Sequence, residues 1–165
     1  MTKFIVPCLA IMCLTGCKRM DKNADAKRAK EMEQAIVALR GAYAAFNRGD
    51  IDAAIASLDA QIEWSEPAEF PGGGTYHGRE GAKQYLTQSR AAWAEVSSEP
   101  VQFITAGDRI VVFVHARVRA KESNHWQEVD LADVYTFQNG RAIAMRAFAD
   151  RQEALRWAGV SPPKY

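Results

Sequence analysis

Asp133-Val134-Tyr135-Thr136-Phe137-Gln138-Asn139-Gly140-Arg141-Ala142-Ile143-Ala144-Met145-Arg146-Ala147-Phe148-Ala149-Asp150 decides the fold. β-Branched and aromatic residues run up to Asn139-Gly140, the strongest hairpin signal in the chain, because a two-residue turn needs both residues at positive φ. Arg141 to Ala149 then returns as the partner strand. Upstream, Trp126 to Phe137 alternates over its whole length, and a polar break at Lys121 to Asn124 separates it from Arg109 to Arg119. A turn at Gly107-Asp108 links that segment to Val101 through Thr105. The second half of the chain is therefore an antiparallel meander.

The first half is mostly helical. Lys27 to Asn47 is Ala-rich, and Ile36, Leu39, Tyr43 and Phe46 recur at steps of three and four, which makes one apolar stripe. Gly49 can end this helix and Asp50 can cap the next, whose apolar face is Ile51, Ile55 and Leu58. Gln61 to Glu66 alternates as a strand. Pro67 to Gly74, with two prolines and three consecutive glycines, is a loop able to act as a lid. Arg79 to Val96 reads as a helix with Ala82, Tyr85, Leu86, Trp93 and Val96 inward. A last short helix, Arg151 to Trp157, stops at Gly159. This order predicts an α+β fold, a curved antiparallel sheet wrapped around N-terminal helices.

A chain of 165 residues holds one such domain. Its 21 basic and 20 acidic side chains argue against bulk electrostatic binding to nucleic acid. Cys8, Cys13 and Cys17 all lie near the start, so the folded part has no internal disulfide, cysteine nucleophile or thiolate metal site. His77, His115 and His125 show no helical i, i+4 pairing, and no metal or other cofactor is expected.

Met1 to Cys17 has a basic residue, Lys3, followed by eleven apolar residues, too few to cross a bilayer. Its end, Leu14-Thr15-Gly16-Cys17, resembles the bacterial lipobox; an ordinary secretory signal with an incidental cysteine is the plainer alternative. The resemblance implies lipidation of Cys17, a cell-envelope location and, with Lys18 following, the outer membrane facing the periplasm. The expected division is 1–16 signal peptide, 17–30 lipidated Cys and charged linker, 31–160 folded domain and 161–165 tail. The linker either leans on anionic headgroups or is simply solvated.

Strand faces separate by odd and even numbering. Ile62, Trp64 and Glu66 share one face of the first strand; Val129, Leu131, Asp133, Tyr135 and Phe137 share one face of another. Each apolar face thus carries one carboxylate. A lone ionised carboxylate there costs several kcal/mol in desolvation, so it must protonate, find donors or line a cavity. Glu66 and Asp133 are either an acid–base pair or structural carboxylates. Arg109 to Arg119 is apolar on both faces at first, with Val111 and Phe113 opposite Ile110, Val112 and Val114. A second subunit would cover the outer face, which predicts a homodimer.

Three stretches, Ala45-Phe46-Asn47-Arg48-Gly49-Asp50-Ile51-Asp52, Tyr76-His77-Gly78-Arg79-Glu80-Gly81 and Asp133 through Asp150, resemble the SnoaL-like and ketosteroid-isomerase-like branch of the NTF2-like superfamily. The resemblance spans about residues 34 to 160 and implies a cone-shaped fold around a pocket. It also implies a base at the end of the first strand, matched by Glu66, and a proton-holding oxyanion acid, matched by Asp133. Ala42 falls at the family's tyrosine position. Tyr43 lies one residue on, a turn of about 100° that directs its hydroxyl elsewhere and argues against steroid isomerisation.

Two functions are expected. One is a membrane-anchored domain that binds a small apolar ligand, with acid–base isomerisation or cyclisation of a carbonyl compound as its candidate reaction. Its walls would be Tyr43, Trp64, Val129, Leu131, Tyr135 and Met145, with His77 at the mouth and Glu66 and Asp133 as general base and acid. The other is a non-enzymatic envelope lipoprotein that binds a protein partner.

Overall fold

The computed structural model describes residues 22–160; the signal sequence, Cys17 and the tail lie outside the described residues. The elements are α1 (Lys22–Arg48), α2 (Ile51–Ala54), β1 (Leu58–Glu66), β2 (Gly74–His77), α3 (Gly78–Ala91), β3 (Glu95–Ala106), β4 (Arg109–Arg119), β5 (Trp126–Gln138), β6 (Arg141–Phe148) and α4 (Arg151–Ala158). Asn139 and Gly140 take φ of 51° and 75°, the pair of positive values that the two-residue turn requires. Around this hairpin the six strands form one sheet in the order β2-β1-β6-β5-β4-β3. Every neighbouring pair is antiparallel except β1 and β6, which run parallel.

The concave face carries the main core. Leu39 and Tyr43 of α1, Ile62 and Trp64 of β1, Ala82 and Tyr85 of α3, and Ile110, Val112 and Val114 of β4 all belong to it. The turn between α1 and α2 follows its chemistry: Gly49 has φ of 83°, and the Asp50 carboxylate accepts from the Ala53 N–H at 3.1 Å.

Four elements depart from the sequence reading. Helix α1 begins at Lys22, inside the stretch assigned to the linker, because Lys22 to Lys30 contains good helix formers and no breaker. Helix α3 ends at Ala91, and Val96 belongs to β3. The helical period of Trp93 and Val96 is accidental; residues 95–106 pair along β4 with a register shift between Pro100 and Gln102. Proline is tolerated there because β3 is an edge strand. The β1–β2 connection continues into a short edge strand that the glycines concealed.

The fourth departure concerns the convex face. Val111, Ala132, Val134 and Phe148 are buried there against Ala154, Leu155 and Ala158 of α4. Asp150 caps α4 by accepting from the N–H groups of Gln152 and Glu153, and Gly159 closes it at φ of 79°. The cover expected from a second subunit at Val111 is supplied by the chain's own last helix, which removes that argument for a homodimer. No helix among the described residues is long and apolar enough to cross a membrane.

Candidate functional site

The sheet curves around a cavity of about 350 Å³ between its concave face, α1 and α3. Helix α1 contributes Tyr43 and Phe46, β1 contributes Trp64 and Glu66, and α3 contributes Tyr85, Leu86 and Ser89. Val129, Leu131, Asp133 and Tyr135 line it from β5, while Phe70 and Pro71 close one side from the β1–β2 loop. Alternation explains the strand contributions, since residues two apart share a face.

That loop is pinned. The Tyr76 hydroxyl donates to the Gly72 carbonyl at 2.6 Å, and the Gly73 N–H donates to the Phe70 carbonyl at 2.8 Å. A Cβ on Gly73 would stand 2.0 Å from the Pro67 carbonyl oxygen, so the turn closes only with glycine there. The glycines let the loop fold back so that Phe70 and Pro71 form one wall of the cavity.

Both carboxyls face the hollow. The Trp64 indole N–H donates to Glu66 Oε1 at 2.8 Å, a reach available because the two are neighbours on one strand face. The Tyr85 hydroxyl also lies beside Glu66 and stabilises its charged form, and Ser89, one turn further along α3, lies beside Tyr85. On the far wall the Tyr43 hydroxyl donates to Asp133 Oδ2 and also meets the Tyr135 hydroxyl.

Tyr43 therefore overturns the expectation that its hydroxyl points elsewhere. Spacing from the α1–α2 turn does not fix how the helix is rotated; the buried stripe of Leu39, Tyr43 and Phe46 does, and it aims the ring at β5.

Burial pushes the Glu66 carboxyl up to about 8, with the nearby Asp133 charge raising it further and the Trp64 and Tyr85 donors offsetting part. Burial also raises Asp133, to about 6, and the Tyr43 donor offsets part of that. Tyr43, Tyr85 and Tyr135 are raised by burial first and by the neighbouring carboxylates next. The two carboxyls titrate as a pair, and across neutral pH they hold one proton between them. Burial raises both carboxyls, so either can carry the shared proton.

Two expected residues lie elsewhere. His77 pairs opposite Glu63 on the exposed side of β2, while its neighbour Tyr76 pairs with Trp64 on the inner side. Met145 is buried opposite Trp64 and Tyr135, packed in the core behind the lining. Val129 does line the cavity but is 43% exposed, at its rim. Tyr85 and Ser89 were missed as site residues. Their spacing of four on one helix face was the available signal, and Tyr85 had been read as core. His115, on the convex side, is engaged by Asp130 at 2.9 Å.

Comparison with solved structures gives the same architecture. An NTF2-like protein of unknown function from Burkholderia pseudomallei is 29% identical, with a TM-score of 0.64 over 74% of this chain and 95% of that one. TerC, co-crystallised with polyporic acid, is 26% identical, with a TM-score of 0.64 over 76% of this chain and 98% of that one. A protein of ketosteroid isomerase-like fold from Catenulispora acidiphila, in complex with trimethylamine, is 16% identical with a TM-score of 0.61 over 77% and 93%, a likeness of fold alone. Comparison with curated proteins finds no match. The SnoaL-like domain family matches residues 39–145, a stretch that includes every residue lining the cavity, and the chain belongs to that family.

Proposed function

We propose that this domain binds a small, largely apolar carbonyl compound and moves a proton on it, as an isomerase or a cyclase does. The observation that carries the reading is a pair of carboxyls on separate strands, both raised by burial, facing one apolar hollow. One member can donate while the other accepts, which is what proton transfer at a carbon beside a carbonyl needs. The Tyr43 hydroxyl donates to Asp133 and holds that carboxyl in the hollow. TerC, a relative crystallised with a small organic ligand, supports the ligand-binding half of the proposal.

The test is turnover of an α,β-unsaturated ketone. Asp133→Asn and Glu66→Gln are each expected to lower kcat by at least about a hundredfold with the circular dichroism of the folded chain retained. Full activity in both variants would remove the acid–base roles.

The same proposal sets the domain on a membrane. Lys3, the apolar run and Leu14-Thr15-Gly16-Cys17 support a lipid anchor on Cys17 in a bacterial envelope, in the outer membrane and facing the periplasm. Labelled acyl chains should follow Cys17 and vanish in Cys17→Ala. A soluble, unlabelled wild-type chain would end the anchoring.

A further inference from the structure

The cavity is lined by acids without a base. Glu66 and Asp133 face it, Glu128 at its rim is turned to the convex side and ion-paired with Arg117 at 3.0 Å, and no Lys, Arg or His is among the lining residues. Several arginines are stacked on rings outside this group, and Arg90 lies 5.8 Å from the centre of Phe46 at the cavity wall. Arg109 lies 4.4 Å from the centre of the Trp157 ring, Arg117 lies 4.8 Å from Trp126, and Arg151 lies 4.9 Å from Phe113. Inside the hollow, the Trp64 ring centre is 6.3 Å from those of both Tyr85 and Tyr135, tilted by 40° to the first and by 79° to the second. Three rings thus form a corner rather than a stack. Among the described residues no arginine or lysine lies over any of the three.

A buried carboxylate with no cation is costly, and three aromatic rings clustered beside it are the environment a cation with an alkyl shell tolerates best. Both features favour the same occupant. We propose that the ligand of this cavity is an apolar organic cation, a tertiary or quaternary ammonium whose charge sits in the Trp64–Tyr85–Tyr135 corner beside the two carboxyls. The proposal rests on the cavity being a ligand site and deepens that reading, because a ketone that also carries an amine would use the ring corner for its charge and the carboxyl pair for its carbonyl. An alkylated ammonium has few or no N–H groups to satisfy, so ring faces hold it without hydrogen bonds. A ligand bearing a carboxylate or phosphate would meet like charge and no cationic partner, and is excluded.

Three probes that share one phenyl ring separate the cases: benzyltrimethylammonium, acetophenone and phenylacetate, titrated calorimetrically into the full-length chain in detergent at pH 7.5. The ammonium is expected to bind about tenfold tighter than acetophenone, with phenylacetate weakest. Repeating the titration at pH 5 is expected to shrink that advantage. The titratable groups facing the corner are Tyr43 from α1, Glu66 from β1, Tyr85 from α3, and Asp133 and Tyr135 from β5. The tyrosines are neutral at both values, while the buried carboxyls take up protons on the way down. Acetophenone binding as tightly as the ammonium, or an ammonium advantage that persists unchanged at pH 5, overturns the cation while leaving the carbonyl reading in place. Tightest binding of phenylacetate overturns it as well. Binding of none of the three removes the ligand site itself, and the cation with it.

Discussion

At the scale of single residues, the site exchanges stability for proton chemistry. Both carboxyls hold their protons more tightly folded than unfolded: Glu66 rises from 4.5 to about 8 and Asp133 from 3.8 to about 6. Below about pH 4 both forms of the chain are protonated and the site costs nothing. As pH rises, the unfolded chain releases these protons first, so stability falls until about pH 8, where Glu66 ionises in the fold too. The melting temperature is expected to drop by on the order of 5–10 °C from this source between pH 5 and pH 8.5. Glu66→Gln should flatten that slope in a pH series of thermal melts. Tyr43→Phe removes the only side-chain donor that offsets burial at Asp133. It is expected to raise the Asp133 pKa further and to cost about 1–2 kcal/mol in chemical denaturation at neutral pH. Alternation alone put Glu66 and Asp133 on inward faces, which is as much of the site as a period of two can give. Tyr85 and Ser89 escaped because an inward helical residue reads the same whether it meets a side chain or a void.

At the scale of elements, the loop after β1 is the sharpest test of how backbone builds the site. Gly73→Ala would drive a methyl into the Pro67 carbonyl, 2.0 Å away. The turn must open, which is expected to cost on the order of 2–4 kcal/mol and to displace Phe70 and Pro71 from the cavity wall. Urea denaturation measures the first effect; faster backbone amide exchange across Phe70 to Gly74 would report the second. Most other elements were legible. The Asn139-Gly140 hairpin, the capped α1–α2 turn and the alternation of β4 and β5 each carry their own local signal. The strand β2 was not, because its glycines read as loop and its pairing with β1 is a tertiary fact. Nor was the end of α3, where Trp93 and Val96 fit a helical period by chance and sheet pairing prevailed.

At the scale of the whole molecule, the unexpected partner is α4. The apolar outer face of β4 was readable, and the sequence also held the short helix that covers it; what it lacked was the side of the sheet to which that helix returns. Leu155→Ala is expected to destabilise the fold by about 2–4 kcal/mol and, through the newly bared Val111 and Val134, to promote self-association visible by light scattering. The lone parallel ladder, between β1 and β6, bears on the order in which the molecule is made. Hairpins β3 through β6 can zip from neighbouring turns, whereas β1 must be brought back from far upstream and closes its loop late. A refolding chain is therefore expected to close its hollow late, after most of the sheet has paired. Until that ladder forms, Glu66 and Asp133 are hydrated, ordinary acids, and their unusual chemistry is expected to begin only with its closure.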